Sequence, residues 1–77
     1  MSLSNPPLSQ LFELIGSRLY QIRHTRREKL TTVARGIGVS HTVVSQIENG
    51  RYKSLSLELL YRIIDYYEQP LEAVMLP

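Results

Sequence analysis

Residues Leu30 to Lys53 read LTTVARGIGVSHTVVSQIENGRYK, and the fold turns on this stretch. Leu30, Val33, Ala34 and Ile37 recur at three- and four-residue steps, which is one face of a helix over Leu30–Ile37. Gly38 follows where a helix commonly stops in the left-handed conformation. Val39 is a short connector. Ser40 can accept a free backbone N–H and so cap a next helix, expected over His41–Asn49. Val44 and Ile47, one turn apart, face inward, and Gly50 ends the helix. Ala34, Gly38, Val44 and Ile47 are spaced by four, six and three residues. Two helices crossing over a three- to four-residue turn need these types. Ala34 is small where the second helix passes close, and Gly38 permits a positive φ. Val44 and Ile47 anchor the second helix on the first. His41, Thr42, Ser45 and Gln46 are left on the opposite side, with Val43 at the margin.

Outward from this pair the periodicity continues. Leu8, Leu11, Phe12, Ile15, Leu19 and Ile22 predict a first helix over residues 8–26, opened by Ser9 or by the Pro6-Pro7 pair. Gly16 is expected to weaken or bend it. Its cationic end, Arg23-His24-Thr25-Arg26-Arg27, suits a helix C-terminus. After a basic loop at Arg51–Leu55, Ser56 is the expected N-cap of helix four, with Glu58 favoured by the dipole in the first turn. Leu57, Leu60, Ile63, Ile64 and Tyr67 are expected on its inner face. Pro70 suits the first turn of a short fifth helix, with Leu71, Val74 and Met75 inward. No segment alternates like a strand. Five helices with short connections predict an all-α domain over residues 8–77, preceded by a disordered segment, residues 1–7.

The chain has 77 residues and no cysteine. One domain is expected, and so short a chain buries only roughly 60% of its unfolded surface. Neither disulfides nor a cysteine metal site can staple it, so a helical core must hold it. The lack of cysteine fits a reducing, cytoplasmic location. No secretory h-region or membrane-length apolar run is read in it. The net charge of +2 is lopsided: residues 1–53 hold eight Lys/Arg against three Asp/Glu, and residues 54–77 hold one Arg against four Asp/Glu. The basic part suits a polyanionic partner, although two solvated faces would look the same by charge alone.

The run GVSHTVVSQIENGR resembles the helix-turn-helix of lambda-repressor-like regulators, the Cro/cI or xenobiotic-response-element type. The resemblance extends over roughly Ile15 to Val74 and is most specific at Ala34-x-x-x-Gly38-Val39-Ser40 and at Ile47-Glu48-Asn49-Gly50-Arg51. It implies sequence-directed binding to double-stranded DNA, with helix three in the major groove and helix two across the backbone. Carried over, it implies base contacts from His41, Thr42, Val43, Ser45 and Gln46. Gln46 can bond adenine bidentately and Val43 can touch a thymine methyl. It also implies backbone contacts from Ser40, Asn49, Arg51 and Lys53, which fix register without reading sequence. Arg23 and Glu48 occupy positions that pair in the family, orienting the recognition helix. Where that family usually has Gln at the start of helix two, this chain has Leu30, so Lys29 or Thr31 is expected to supply the phosphate contact there. The resemblance further implies a homodimeric repressor of transcription, one recognition helix per half-site.

Plainer readings accompany these. His24 reads as a solvated helix-end residue, and the run Arg26-Arg27-Glu28-Lys29 as a hydrated loop that adds diffuse attraction to DNA. Tyr52 is more often a loop anchor than a sugar-stacking residue. Tyr61, Tyr66 and Tyr67 read as core and rim. There is no phosphate loop, metal-spaced cluster or nucleophile–base pair, so no enzyme, metal, cofactor or small-molecule effector is expected. The competing reading is an antitoxin-type module that binds a partner protein and its own promoter, for which the apolar and acidic stretch Tyr66–Pro77 is the available segment. A homodimerising domain without DNA is a third. For the dimer face there are two candidates, the extra apolar stretch Leu8–Leu14 and helix five with its tail.

Overall fold

A computed structural model describes residues 4–75. Among the described residues there are five α-helices and no strand: α1 (Leu8–Thr25), α2 (Leu30–Ile37), α3 (His41–Glu48), α4 (Leu57–Tyr66) and α5 (Glu72–Met75). This is the five-helix, all-α class expected from the periodicity. Residues 4–7 carry no secondary structure. Met1–Leu3, Leu76 and Pro77, which the expected N-terminal segment and tail include, lie outside the described residues.

The start of α1 is set by Pro7, not by Ser9. Pro7 is the N-cap and no side chain caps the helix. The Pro7 carbonyl accepts from the N–H groups of Gln10 and Leu11 at 2.9 and 3.2 Å. Ser40 and Ser56 cap their helices through the side chain. The Ser40 hydroxyl accepts from the Val43 N–H at 3.2 Å, and that of Ser56 from the Leu59 N–H at 3.0 Å. Gly38 is left-handed at φ 79°, and its N–H reaches the Ala34 carbonyl at 2.9 Å. The break between α2 and α3 is therefore built by one residue free of a Cβ penalty.

One apolar cluster unites the helices. Ile15 and Leu19 come from α1; Val33, Ala34 and Ile37 from α2; Val44 and Ile47 from α3. Leu60, Ile63 and Ile64 of α4, then Tyr67 and Val74, close it. Burial of this cluster supplies the main driving force of folding.

Three expectations about faces are corrected. Leu57 is 72% exposed: it is the first residue of α4, where the helix has not yet reached the core, and half-buried Leu59 packs instead. Leu71 and Met75 are 41% and 37% exposed. Met75 directly follows Val74 and so points about 100° away from it while Val74 meets the core, and Leu71 lies just before α5 begins. The third helix also ends one residue early, at Glu48, with Asn49 as its C-cap.

Candidate nucleic-acid interface

Ala34, Val44 and Ile47 are buried, so α3 is pinned along one side against α2 and the rest of the core. On the other side His41, Thr42 and Gln46 are exposed, while Val43 and Ser45 are half-buried beside them. A short helix thus keeps an apolar seam inward and a row of donors and acceptors in solvent. Side chains of these types match the hydrogen-bonding edges of base pairs.

A basic and polar border lies on both ends of this flank. Asn49, Arg51 and Lys53 are exposed just after α3, and the Arg51 N–H donates back to the Gln46 carbonyl at 2.9 Å. At the start of α2, Lys29 and Thr31 are exposed. Lys29 is the N-cap and its side chain makes no cap hydrogen bond. The first amides of α2 therefore keep their partial positive charge available to an anion. The exposed Ser40 uses its oxygen as an acceptor for the cap, which leaves its O–H able to donate outward.

Arg23 and Glu48 meet across 25 residues of sequence. Arg23 Nε donates to Glu48 Oε2 at 2.7 Å, and Nη2 to Oε1 at 3.0 Å, a bidentate fork. Their side chains are 13% and 6% exposed. The Glu48 carboxylate holds the Arg23 guanidinium protonated even more firmly than usual, against the opposing cost of burial. The fork ties the end of α3 to α1.

Gly16 is the second tie, and the expectation that it bends α1 is replaced by a steric one. A Cβ at Gly16 would lie 2.3 Å from the Ile47 carbonyl oxygen and 2.6 Å from that of Glu48. Glycine is required because α1 passes directly over the end of α3.

Several residues that position the surface escape a reading of the sequence. The Arg26–Lys29 turn is more than a hydrated loop. The Glu28 Oε1 accepts from Arg26 Nε at 2.7 Å, and its Oε2 accepts from the Tyr66 hydroxyl. The Glu28 carbonyl accepts from Arg23 Nη1 at 3.0 Å. The tyrosine hydroxyl, and then Arg26, hold the Glu28 carboxyl below the ordinary range, and the same contact raises the Tyr66 phenol. Burial raises the Tyr67 phenol. Arg62 donates to the Ile37 carbonyl at the end of α2. The only sequence signal for these was a carboxylate inside a basic run. Tyr52 is half-buried against the core as a loop anchor, and exposed His24 lies beside Tyr20 with ring centroids 5.1 Å apart.

Among the described residues no cluster of His, Cys, Asp or Glu is arranged to hold a metal ion. Nor is any helix among them long and apolar enough to cross a membrane. A helix-turn-helix family model matches residues 22–74, well over half of the chain. No curated protein and no solved structure matches significantly. With the turn at Gly38, the seam of α3 and the matched span in agreement, this chain belongs to the lambda-repressor-like, Cro/cI-type helix-turn-helix family of DNA-binding regulators.

Proposed function

We propose that this regulator is a homodimeric repressor that reads its operator with α3. His41, Thr42 and Gln46 contact base edges, Val43 meets a thymine methyl, and Ser45 bonds a base or a phosphate. Lys29, Thr31, Ser40, Asn49, Arg51 and Lys53 hold the DNA backbone and supply most of the affinity. Ala34, Gly38, Val44 and Ile47 form the frame, and the Arg23–Glu48 fork aims it. The observation that carries this reading is the exposure of His41, Thr42 and Gln46 on a helix whose opposite side is buried, with exposed Arg51 and Lys53 adjoining. Occupying a promoter with such a unit excludes other proteins from it, so the proposed outcome is repression.

The proposed dimer face combines both segments singled out in the sequence. Leu11 and Leu14 of α1 and Met75 of α5, with Pro6, line one open apolar depression of about 550 Å³. A second copy placed there would bury a surface that is otherwise costly to expose.

Selection of bound duplexes from a random pool tests the whole reading. The expected product is a two-fold symmetric pair of half-sites whose centres lie about 34 Å apart. Enrichment of single, unpaired sites would overturn the dimer, and no enrichment at all would overturn sequence-specific reading.

A further inference from the structure

Tyr66 and Glu28 lie outside the DNA-facing flank, yet they govern one end of it. The Tyr66 ring rests on the last turn of α2, where a Cβ at Gly36 would come within 2.3 Å of Tyr66 Cε1. Its hydroxyl then reaches Glu28, the residue before the N-cap of α2. One turn earlier on α4, Arg62 donates to the Ile37 carbonyl. The helix α4 therefore grips α2 at its start and at its end. Glu28 is also held from α1, by Arg26 through the carboxylate and by Arg23 through the carbonyl. Since Arg23 forks Glu48 as well, one chain of hydrogen bonds runs from α3 through α1 to the start of α2 and on to α4.

The charge of Glu28 makes a purely passive role hard to sustain. A carboxylate set among Arg23, Arg26, Arg27 and Lys29 works against attraction of a polyanion. Its side chain is only 17% exposed and fully engaged, so the charge serves geometry and not solvation.

We propose that the Tyr66–Glu28 hydrogen bond is a positioning strut for DNA binding. It fixes the N-terminal end of α2, with Lys29, Thr31 and the first-turn amides, in the register with α3 that backbone docking demands. The inference rests on the proposed phosphate-contacting role of that end. Neither residue touches DNA in this arrangement.

The test compares Tyr66→Phe and Glu28→Ala with the parent chain on a selected operator and on a random duplex, across a salt series. Binding is measured well below each variant's melting temperature. Tyr66→Phe keeps the ring and the net charge. It is expected to weaken operator binding about three- to tenfold, with a shallower salt dependence and an unchanged base preference. Glu28→Ala removes both the acceptor and a negative charge, so electrostatics alone would tighten binding, whereas the strut requires it to weaken. Wild-type affinity in Tyr66→Phe, or tighter binding by Glu28→Ala, overturns the inference. If Tyr66→Phe does not fold, the sign of the Glu28→Ala effect decides. Lys29→Ala and Thr31→Ala separate two kinds of failure. If both bind like the parent, the backbone contact itself is wrong. If they weaken binding while Tyr66→Phe does not, the contact stands and the strut falls.

Discussion

In the proposed DNA complex Gln46, exposed on α3, and Lys53, exposed just after it, carry different kinds of information. Gln46 has a planar amide that can pair two atoms of one base edge, so its loss removes discrimination at one position. Gln46→Ala is expected to erase about 1–3 kcal/mol of preference at a single base pair and leave the others intact. Competition binding against operators changed one base pair at a time measures this, and an unchanged preference pattern would remove Gln46 from the reading set. Lys53, in the proposed complex, offers a point charge to phosphate. Lys53→Ala is expected to weaken binding to every duplex alike and lower the salt slope by about one. Losses that differ between operators would contradict a backbone role. Gly38 acts at the same scale through its backbone: at φ 79° it lets the chain leave α2 and enter α3 without strain.

At the scale of elements, α3, the proposed recognition helix, is a short piece that cannot stand alone. An eight-residue helix is too short to be stable in water without packing and caps. The Ser40 cap is one support, and Ser40→Ala is expected to cost about 1 kcal/mol of folding stability. Thermal melting measures it, with a fall of roughly 4–8 °C per kcal/mol in a domain of this size. The crossing of α1 over α3 is another support. Gly16→Ala gains about 1 kcal/mol of helix propensity. Yet its methyl group meets two backbone carbonyls, which cannot rotate away. Overpacking of about 1–3 kcal/mol or more is expected to win, so the variant melts lower than the parent. A higher melting temperature would mean that the two helices separate freely at this point. Near the same crossing, Gly50 leaves room for α1, since a Cβ there would come 2.8 Å from Glu13 Cα.

For the whole molecule, stability depends on a core that counts twelve buried apolar side chains among the described residues, and on polar ties around it. One tie titrates in a useful range. The Glu28 carboxyl, with an ordinary value of 4.5, is lowered first by the Tyr66 hydroxyl and then by Arg26. A lowered carboxyl contributes stability that is present above the unfolded value and lost as pH falls through the folded one. The urea midpoint is therefore expected to drop on acidification below about pH 4.5, and Glu28→Gln to flatten that limb. A parent and variant with parallel pH profiles would show that other carboxylates govern the acid limb. At the alkaline end the raised Tyr66 and Tyr67 phenols work the other way. Their contribution is complete below the ordinary tyrosine range and lost as pH rises through the raised values.

Much of this molecule follows from short-range rules. The boundaries of α2, the caps at Ser40 and Ser56, and the left-handed Gly38 depend on residues within four positions of one another, so the sequence alone determined them. The seam of α3 is equally local, because helical spacing separates Val44 and Ile47 from the polar row. Family membership is also written in this short span, which is why GVSHTVVSQIENGR sufficed to suggest it. What only the tertiary structure decided is which helix surfaces find a partner. Leu57 and Met75 fit their helices' apolar spacing yet lie at ends that the core does not reach. Glu28 and Tyr66 are 38 residues apart, and no periodicity links a carboxylate in a basic turn to a phenol on α4. Gly16 likewise gains its meaning only from the carbonyls of α3 that cross it. Local spacing sets how each segment folds, but contacts distant in sequence depend on how the segments pack, and packing is a property of the assembled chain.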